Sequence, residues 1–411
     1  MRRPLGRART AARTGLLAAA CAAILAAPAR AQEPEGGTRT ALIEQAQAEK
    51  ETKLRPYVPG KAEHYLNYAE TLLLTGGLHW HPFFTSAYSG GGFTLGGGYI
   101  THLGSYNILD VRGSLTFTGY KRIEAQFIAP RLMGRRATFS ALGGWREATQ
   151  VGFYGIGTAS TSVDDKASYG FKQPYASAAL EVWPTRRLLV MRGGLEASRW
   201  EQTPGGGNAP SVEEVYTPAT LPGLGASVPY LHSEGTIGLD SRTSPGYSRR
   251  GTFVGVTMHD FADRDERNGF TQYDYEAIQH VPLLREAWVL SFRGLVSTTA
   301  VKGNQAIPFF MLPALGGGSS LRGFSSWRFR DRNSLLLQAE WRIMVNRFVD
   351  TAVFYDAGKV TASSRDLDFD GLKSDFGFGL RFHGPMATPL RLELAKSNEG
   401  LAIVFGASAA F

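Results

Sequence analysis

From about Leu78 to Phe411 the chain is a succession of runs roughly ten residues long, rich in Val, Ile, Leu, Phe, Tyr and Thr and separated by turn residues. The clearest is 334–346: Leu335, Leu337, Ala339, Trp341, Ile343 and Val345 alternate with Leu336, Gln338, Glu340, Arg342, Met344 and Asn346. Successive side chains of a strand point to opposite faces, so one face here is apolar and the other carries polar and charged groups. Residues 390–396 repeat the pattern, with Leu390, Leu392 and Leu394 opposed to Arg391 and Glu393. So do residues 401–411, with Leu401, Ile403 and Phe405 opposed to Ala402, Val404 and Gly406. This alternation suits a wall with lipid outside and a wet lumen inside, although a soluble sandwich alternates too.

Connection lengths separate the two. The pattern predicts strands near 79–88, 92–101, 107–118, 121–131, 136–154, 167–183, 186–199, 229–241, 250–261, 270–280, 286–299, 333–345, 349–358, 372–383, 388–396 and 401–411. Alternate connections are short, as in "PTR" after Trp183 and "NRF" after Val345, whereas 200–228, 300–332 and 359–371 are long. Short turns on one side and long loops on the other are the asymmetry of a bacterial outer-membrane barrel. The expected fold is therefore all-β, a 16-stranded antiparallel transmembrane β-barrel over 78–411. With the amino terminus periplasmic, segment 300–332 lies on the outer side.

Composition sharpens the compartment. Residues 1–31 hold five arginines before a continuous apolar run and then Ala29-Arg30-Ala31, the layout of a secretory signal peptide cut after Ala31. Of 44 Lys+Arg and 36 Asp+Glu, six arginines fall in that leader; without them 38 basic groups face 36 acidic ones, and the basic character gives no reason to expect nucleic acid. The single cysteine, Cys21, also lies in the leader, which leaves the exported chain no disulfide framework and no thiol chemistry. Residues 32–77 read as a short periplasmic lead-in, with one helical pattern around 42–53. No stretch beyond the leader has the ~20 consecutive apolar residues of a helical span.

Motifs then carry a resemblance. Leu321, Arg322, Gly323 and Phe324 ("LRGF") in the long loop, followed by Phe354-Tyr355-Asp356-Ala357-Gly358, look like the paired loop and strand motifs of the BamA/TamA superfamily, the bacterial surface antigen family. Asp240, Arg242, Pro245 and Gly251 resemble its D-x-R…P…R-G strand-turn-strand, Glu340 and Arg342 its E-x-R pattern, and "FYGIGTASTSVDD" (153–165) another stretch typical of the group. Gly406 and the terminal Phe411 resemble the carboxy-terminal signal read by the barrel-assembly machinery. The resemblance implies that the long loop folds into the lumen, where Arg322 meets the inward carboxylates Glu340 and Asp356. A guanidinium fork can bond such groups bidentately, which lysine cannot copy. Gly323 is then expected to give a tight turn, and Phe324 to pack on the wall. The lead-in is too short for the periplasmic POTRA domains of assembly and secretion members, so the chain resembles the short members.

Candidate chemistry is otherwise thin. His79 and His81 share a strand face but flank Trp80, which favours an interfacial girdle over a metal site. The glycines of 90–98 are not followed by the Lys-Ser/Thr of a phosphate loop. The acids of 263–267 and Asp366, Asp368 and Asp370 suit solvated loops, with an external cation site as the lesser reading. Neither a nucleophile nor a general base is placed, so no enzymatic activity, cofactor or metal is expected. The expected function is outer-membrane protein assembly or translocation; a passive channel or uptake pore is the alternative, and a surface-antigen structural protein a third. Expected partners are outer-membrane lipid, the machinery that inserts the barrel itself, and a periplasmic partner protein.

Overall fold

The computed structural model describes residues 79–411 except 159–161, 186–187, 285 and 385, together with Ile43, Gln45, Ala46, Ala48 and Glu49, which are helical. By contacts the chain divides into two units, Met1–His64 and Tyr65–Phe411. The leader expected over 1–31 and most of the lead-in lie outside the described residues.

From residue 79 on, the described residues of the second unit form an all-β fold with only single helical turns such as Val212–Val215. Its wall strands are β1 (Trp80–Pro82), β2 (Thr94–Leu103), β3 (Asn107–Thr116), β4 (Lys121–Leu132), β5 (Ala137–Phe153) and β6 (Ala167–Val182). They continue with β7 (Leu189–Pro204), β8 (Ser227–Asp240), β9 (Gly251–Asp263), β10 (Phe270–Leu283) and β11 (Trp288–Val301). A two-stranded ribbon, β12 (Ala314–Leu315) with β13 (Phe329–Arg330), interrupts the series. The wall resumes with β14 (Asn333–Met344), β15 (Val349–Thr361), β16 (Lys373–Phe382), β17 (Leu390–Ser397) and β18 (Gly400–Gly406). All sixteen wall strands pair antiparallel with their sequence neighbours, β11 passing directly to β14, so the sheet is a continuous meander.

The alternation becomes two surfaces. On β8, Leu231, Ile237 and Leu239 face outward and are about half exposed, while Tyr230, His232, Glu234 and Asp240 face the lumen. On β14, Leu336, Gln338, Glu340 and Arg342 face inward and are buried. Every interior ladder is hydrogen-bonded on both sides, the condition for crossing hydrocarbon without stranding backbone polar groups.

Two expected strands are shorter than the pattern suggested. Predicted over 79–88, β1 pairs with β2 only at Trp80, His81 and Pro82. Beyond it the chain turns into the lumen. Phe83 lies against the guanidinium groups of Arg112 and Arg122, at 5.0 and 5.7 Å, and the Thr85 and Ser86 carbonyls accept from Ser114 and Arg122. Inward cations on β3 and β4 thus outcompete further ladder pairing. At the other end β18 stops at Gly406 instead of running to 411. Arg391 donates to the Ser408 carbonyl at 2.7 Å, and the Phe411 ring stacks on His280 with centroids 6.2 Å apart.

The loop end holds an aromatic core. Phe153, Tyr169, Phe171, Trp200 and Phe270 of the wall pack on Phe309 and Phe310 of the long loop and on Leu221 of the 205–226 loop. Phe309 meets Tyr169 edge-on at 4.9 Å and Phe153 at 5.1 Å, the geometry aromatic quadrupoles prefer.

Candidate functional site

The ribbon β12–β13 brings the tip of the 302–332 loop into the lumen. Gly316 and Gly317 have φ of +115° and +94°, and a Cβ on Gly316 would lie 2.2 Å from the Ser325 carbonyl, so only glycine lets the tip close on itself. Leu315, Leu321, Phe324 and Phe329 then pack on Leu336 and Val360 of the wall, with Phe324 edge-on to Phe329 at 5.2 Å. That apolar contact delivers Arg322, fully buried, to the inner face of β14–β17.

Arg322 grips Asp356 with a two-pronged fork, Nε to Oδ2 and Nη2 to Oδ1, both 2.7 Å. Its Nη1 donates to Glu340 at 3.0 Å and to Glu393 at 2.8 Å. The guanidinium carbon sits 3.5 Å from the centre of the Phe354 ring, and Gln338 holds Asp356 from the other side at 3.1 Å. Arg381 bridges Glu340 and Glu393, each at 2.6 Å, and Arg391 donates to Glu393 at 2.7 Å. Three guanidiniums and three carboxylates therefore form one buried network, and each ion's desolvation cost is offset by opposite charge at hydrogen-bond distance. Such a network adds little net stability over an apolar core, but it admits one loop position.

The structure thus brings Arg322, Glu340, Phe354 and Asp356 together and adds a third carboxylate, Glu393, with Arg381 and Arg391. Sequence reading had placed Arg391 and Glu393 on a polar strand face without linking them to the loop. Gly323 differs from expectation in its role: it is not among the positive-φ glycines, and what it provides is a close approach, since a Cβ there would lie 2.6 Å from Cβ of Asp375. Gly358 likewise leaves room for Leu315.

The loop is held elsewhere too. Arg328 bonds Glu399 in the β17–β18 turn at 2.9 Å, Arg330 donates to the Tyr169 hydroxyl at 2.9 Å, and Trp327 stacks on Tyr88 with centroids 4.4 Å apart.

At the turn end, the motif around Asp240 builds a strap. Arg242 pairs with Asp240 at 2.8 Å, and Gly251, at φ +110°, lets β9 start against the Ser241 carbonyl. Between them the turn crosses towards the β16–β17 turn, although β10, β11, β14 and β15 lie between β9 and β16 in the wall. Gly246 bridges Ala387, one residue past Pro245, and Ser244 donates to the Met386 carbonyl at 2.9 Å. The Tyr247 hydroxyl bonds Asp350 at 2.7 Å while its ring stacks on His383 at 3.9 Å, and Arg342 reaches the Ser248 carbonyl.

The sheet's edges are β1 and β18, with no β1–β18 pair among the described residues. A cavity of about 840 Å³ lies beside this seam, lined by Phe84, Phe93, Gly318, Arg322, Arg391 and Val404 among others.

The remaining candidates resolve simply. His81 bonds Asp110 at 2.8 Å, and no cluster of three metal-binding side chains occurs among the described residues. Asp263 accepts from the backbone of Asp265, Arg267 and Asn268, shaping its loop. Lys359 occupies the place a cation would take beside Asp368 and the Asp370 carbonyl, and its hydrogen bond holds the Asp368 carboxyl below the usual range.

Residues 232–408 match the Omp85 superfamily domain. Among solved structures, the chain is similar to BamA from Haemophilus ducreyi lacking POTRA domains 1–3, at 17% identity and a TM-score of 0.56 over 77% of this chain and 67% of that one. It is also similar to CdiB from Escherichia coli, at 12% identity and a TM-score of 0.51 over 78% of this chain and 57% of that one. No curated protein sequence matches it.

Proposed function

Because residues 232–408 carry an Omp85 superfamily domain, and the barrels of that superfamily are non-enzymatic components of the bacterial outer membrane, we propose that this barrel serves outer-membrane protein assembly or translocation. The observation that carries the reading is the pairing of a rigidly fixed lumen loop with an unsealed wall. Arg322 pins the loop to β14, β15 and β17, while β18 and the edge of β2 beyond the Phe83–Gly96 bond have no strand partner among the described residues and lie beside the seam cavity. Free ladder edges are templates for another strand, which a client could supply.

The same arrangement speaks against a passive channel. The long loop packs into an aromatic core at the loop end, is held midway by the arginine network, and is matched at the turn end by a strap that bridges Gly246 to Ala387. A periplasmic partner protein would bring clients to the turn end, and outer-membrane lipid surrounds the apolar band. Depleting the protein and quantifying all other outer-membrane barrels tests the proposal: a selective fall in one or more is expected, and unchanged levels of every barrel, secreted chain and surface protein would overturn it.

A further inference from the structure

Arg330 is fully buried at the loop end of the lumen, yet no carboxylate answers it. Its Nη2 donates to the Tyr169 hydroxyl at 2.9 Å, while Nε and Nη1 have no acceptor in the protein. The guanidinium carbon lies 4.9 Å from the centre of the Trp327 ring and 5.5 Å from that of Tyr169, and cation–π attraction recovers only part of what burying the charge costs. Trp327 is held over the guanidinium with φ at +64°, a backbone conformation that non-glycine residues keep chiefly at functional sites.

Other buried donors without partners surround it. The Tyr88 and Tyr120 hydroxyls lie within electrostatic reach of Arg330. Tyr120 is buried and its hydroxyl has no partner, nor has that of Ser86. The two side chains are neighbours, since a Cβ on Gly91 would clash with both. The acids of this region are engaged elsewhere. Asp331 accepts from the Arg332 N–H at 2.8 Å, Asp164 and Asp165 bond Ser162, Glu399 pairs with Arg328, and Glu124 pairs with Arg112 and Arg122. Arg146, the other cation beside Tyr88, is joined to Glu196 through Gln173 by hydrogen bonds of 2.6 and 3.5 Å. What the group lacks is one negative charge.

We infer that these donors form a binding site for a small monovalent anion of halide size, held by Arg330 and the Tyr120 hydroxyl with Ser86 beside it. Guanidinium and hydroxyl groups can all donate to such an ion, and a buried charge without a counter-charge is the arrangement proteins avoid. A single uncompensated cation enclosed by aromatic rings suits a monovalent ion and not a phosphate. A cavity of about 230 Å³, lined by Ser89, Gln150, Lys166 and Ser326, opens against Tyr120 and Trp327 and gives the ion a way in. Once bound, the ion ties the second half of the long loop to β6 and to the segment that follows β1.

Crystals of the full chain grown in sodium bromide test this. An anomalous peak within hydrogen-bond reach of Arg330 Nε or Nη1 is expected, and no anomalous signal there, as for a water molecule, would overturn it. In detergent solution the melting temperature, followed by tryptophan fluorescence, should rise by about 3 °C when chloride replaces gluconate at fixed ionic strength. Arg330→Met should abolish that rise. Arg365→Gln, which removes an exposed charge from an outer loop, should keep it. Equal responses in the two variants would overturn the site. Should Arg330→Met fail to fold, Tyr120→Phe, which loses only the hydroxyl, should move the chloride midpoint about 10-fold higher, and an unmoved midpoint would count against the site in the same way. No outcome bears on the depletion experiment.

Discussion

The guanidinium carbon of Arg322 lies 3.5 Å from the centre of the Phe354 ring, while the same group forks onto Asp356 two residues along the same strand face. One strand thus offers a flat apolar support and a carboxylate at the spacing a planar cation fits. Arg322→Ala leaves Asp356 and its neighbours short of a buried counter-charge, at a cost of about 3–5 kcal/mol. The temperature at which the folded band disappears on unboiled gels should fall sharply. Arg322→Lys should recover only part of it, because an ammonium can neither stack nor fork; full recovery would show that charge alone matters.

Glu393 receives Arg322, Arg381 and Arg391. Glu393→Gln therefore strips one carboxylate from three guanidiniums and should lower the same melting temperature at least as far as Asp356→Asn, which strips one guanidinium's fork. A Glu393→Gln barrel as stable as wild type would mean that Arg381 and Glu340 carry the network without it.

At Gly323 the smallest added group is informative. A Cβ would sit 2.6 Å from that of Asp375, so Gly323→Ala should cost about 1–3 kcal/mol by overpacking. Gly323→Ala combined with Asp375→Gly should recover much of the loss, since the clash is with that side chain. Loss without rescue would locate the constraint in the loop backbone instead.

Conductance in planar bilayers should be small and flickering for wild type, with no steady porin-like opening. Deleting 317–327 should increase it. Adding Tyr247→Phe, which removes the hydroxyl bond to Asp350, should increase it further by loosening the strap. Large steady currents from the intact chain would favour the channel class.

Sequence reading and structure agree where the physics is local. Period-two alternation and turn spacing place all sixteen wall strands in order, because each strand's two faces see different solvents. They diverge where distant residues decide. Nothing within 79–88 announces that the chain will leave the ladder after Phe83 for the inward Arg112 and Arg122, and nothing within 401–411 announces that Arg391 will draw Ser408 inward. Glu393 sits on its polar face in plain view, but which of several inward acids meets Arg322 depends on wall curvature and on where Leu321 and Phe324 find apolar purchase. The strap is hidden for the same reason, since its partners Ala387, Asp350 and His383 lie more than a hundred residues from Tyr247 and Gly246.

The brevity of β1 bears on mechanics. Only the five residues from His79 to Phe83, one of them a proline with no N–H to offer, tie the first strand to β2, whereas Phe270 to Leu283 pair along their full length with β11. Strain applied anywhere around the ring, by a thinned bilayer or by a strand seeking a partner, would be released first where the fewest bonds must break. The wall is in that sense a zip with a preset starting point, and the loop pinned across the lumen by Arg322 keeps the rest of it from following.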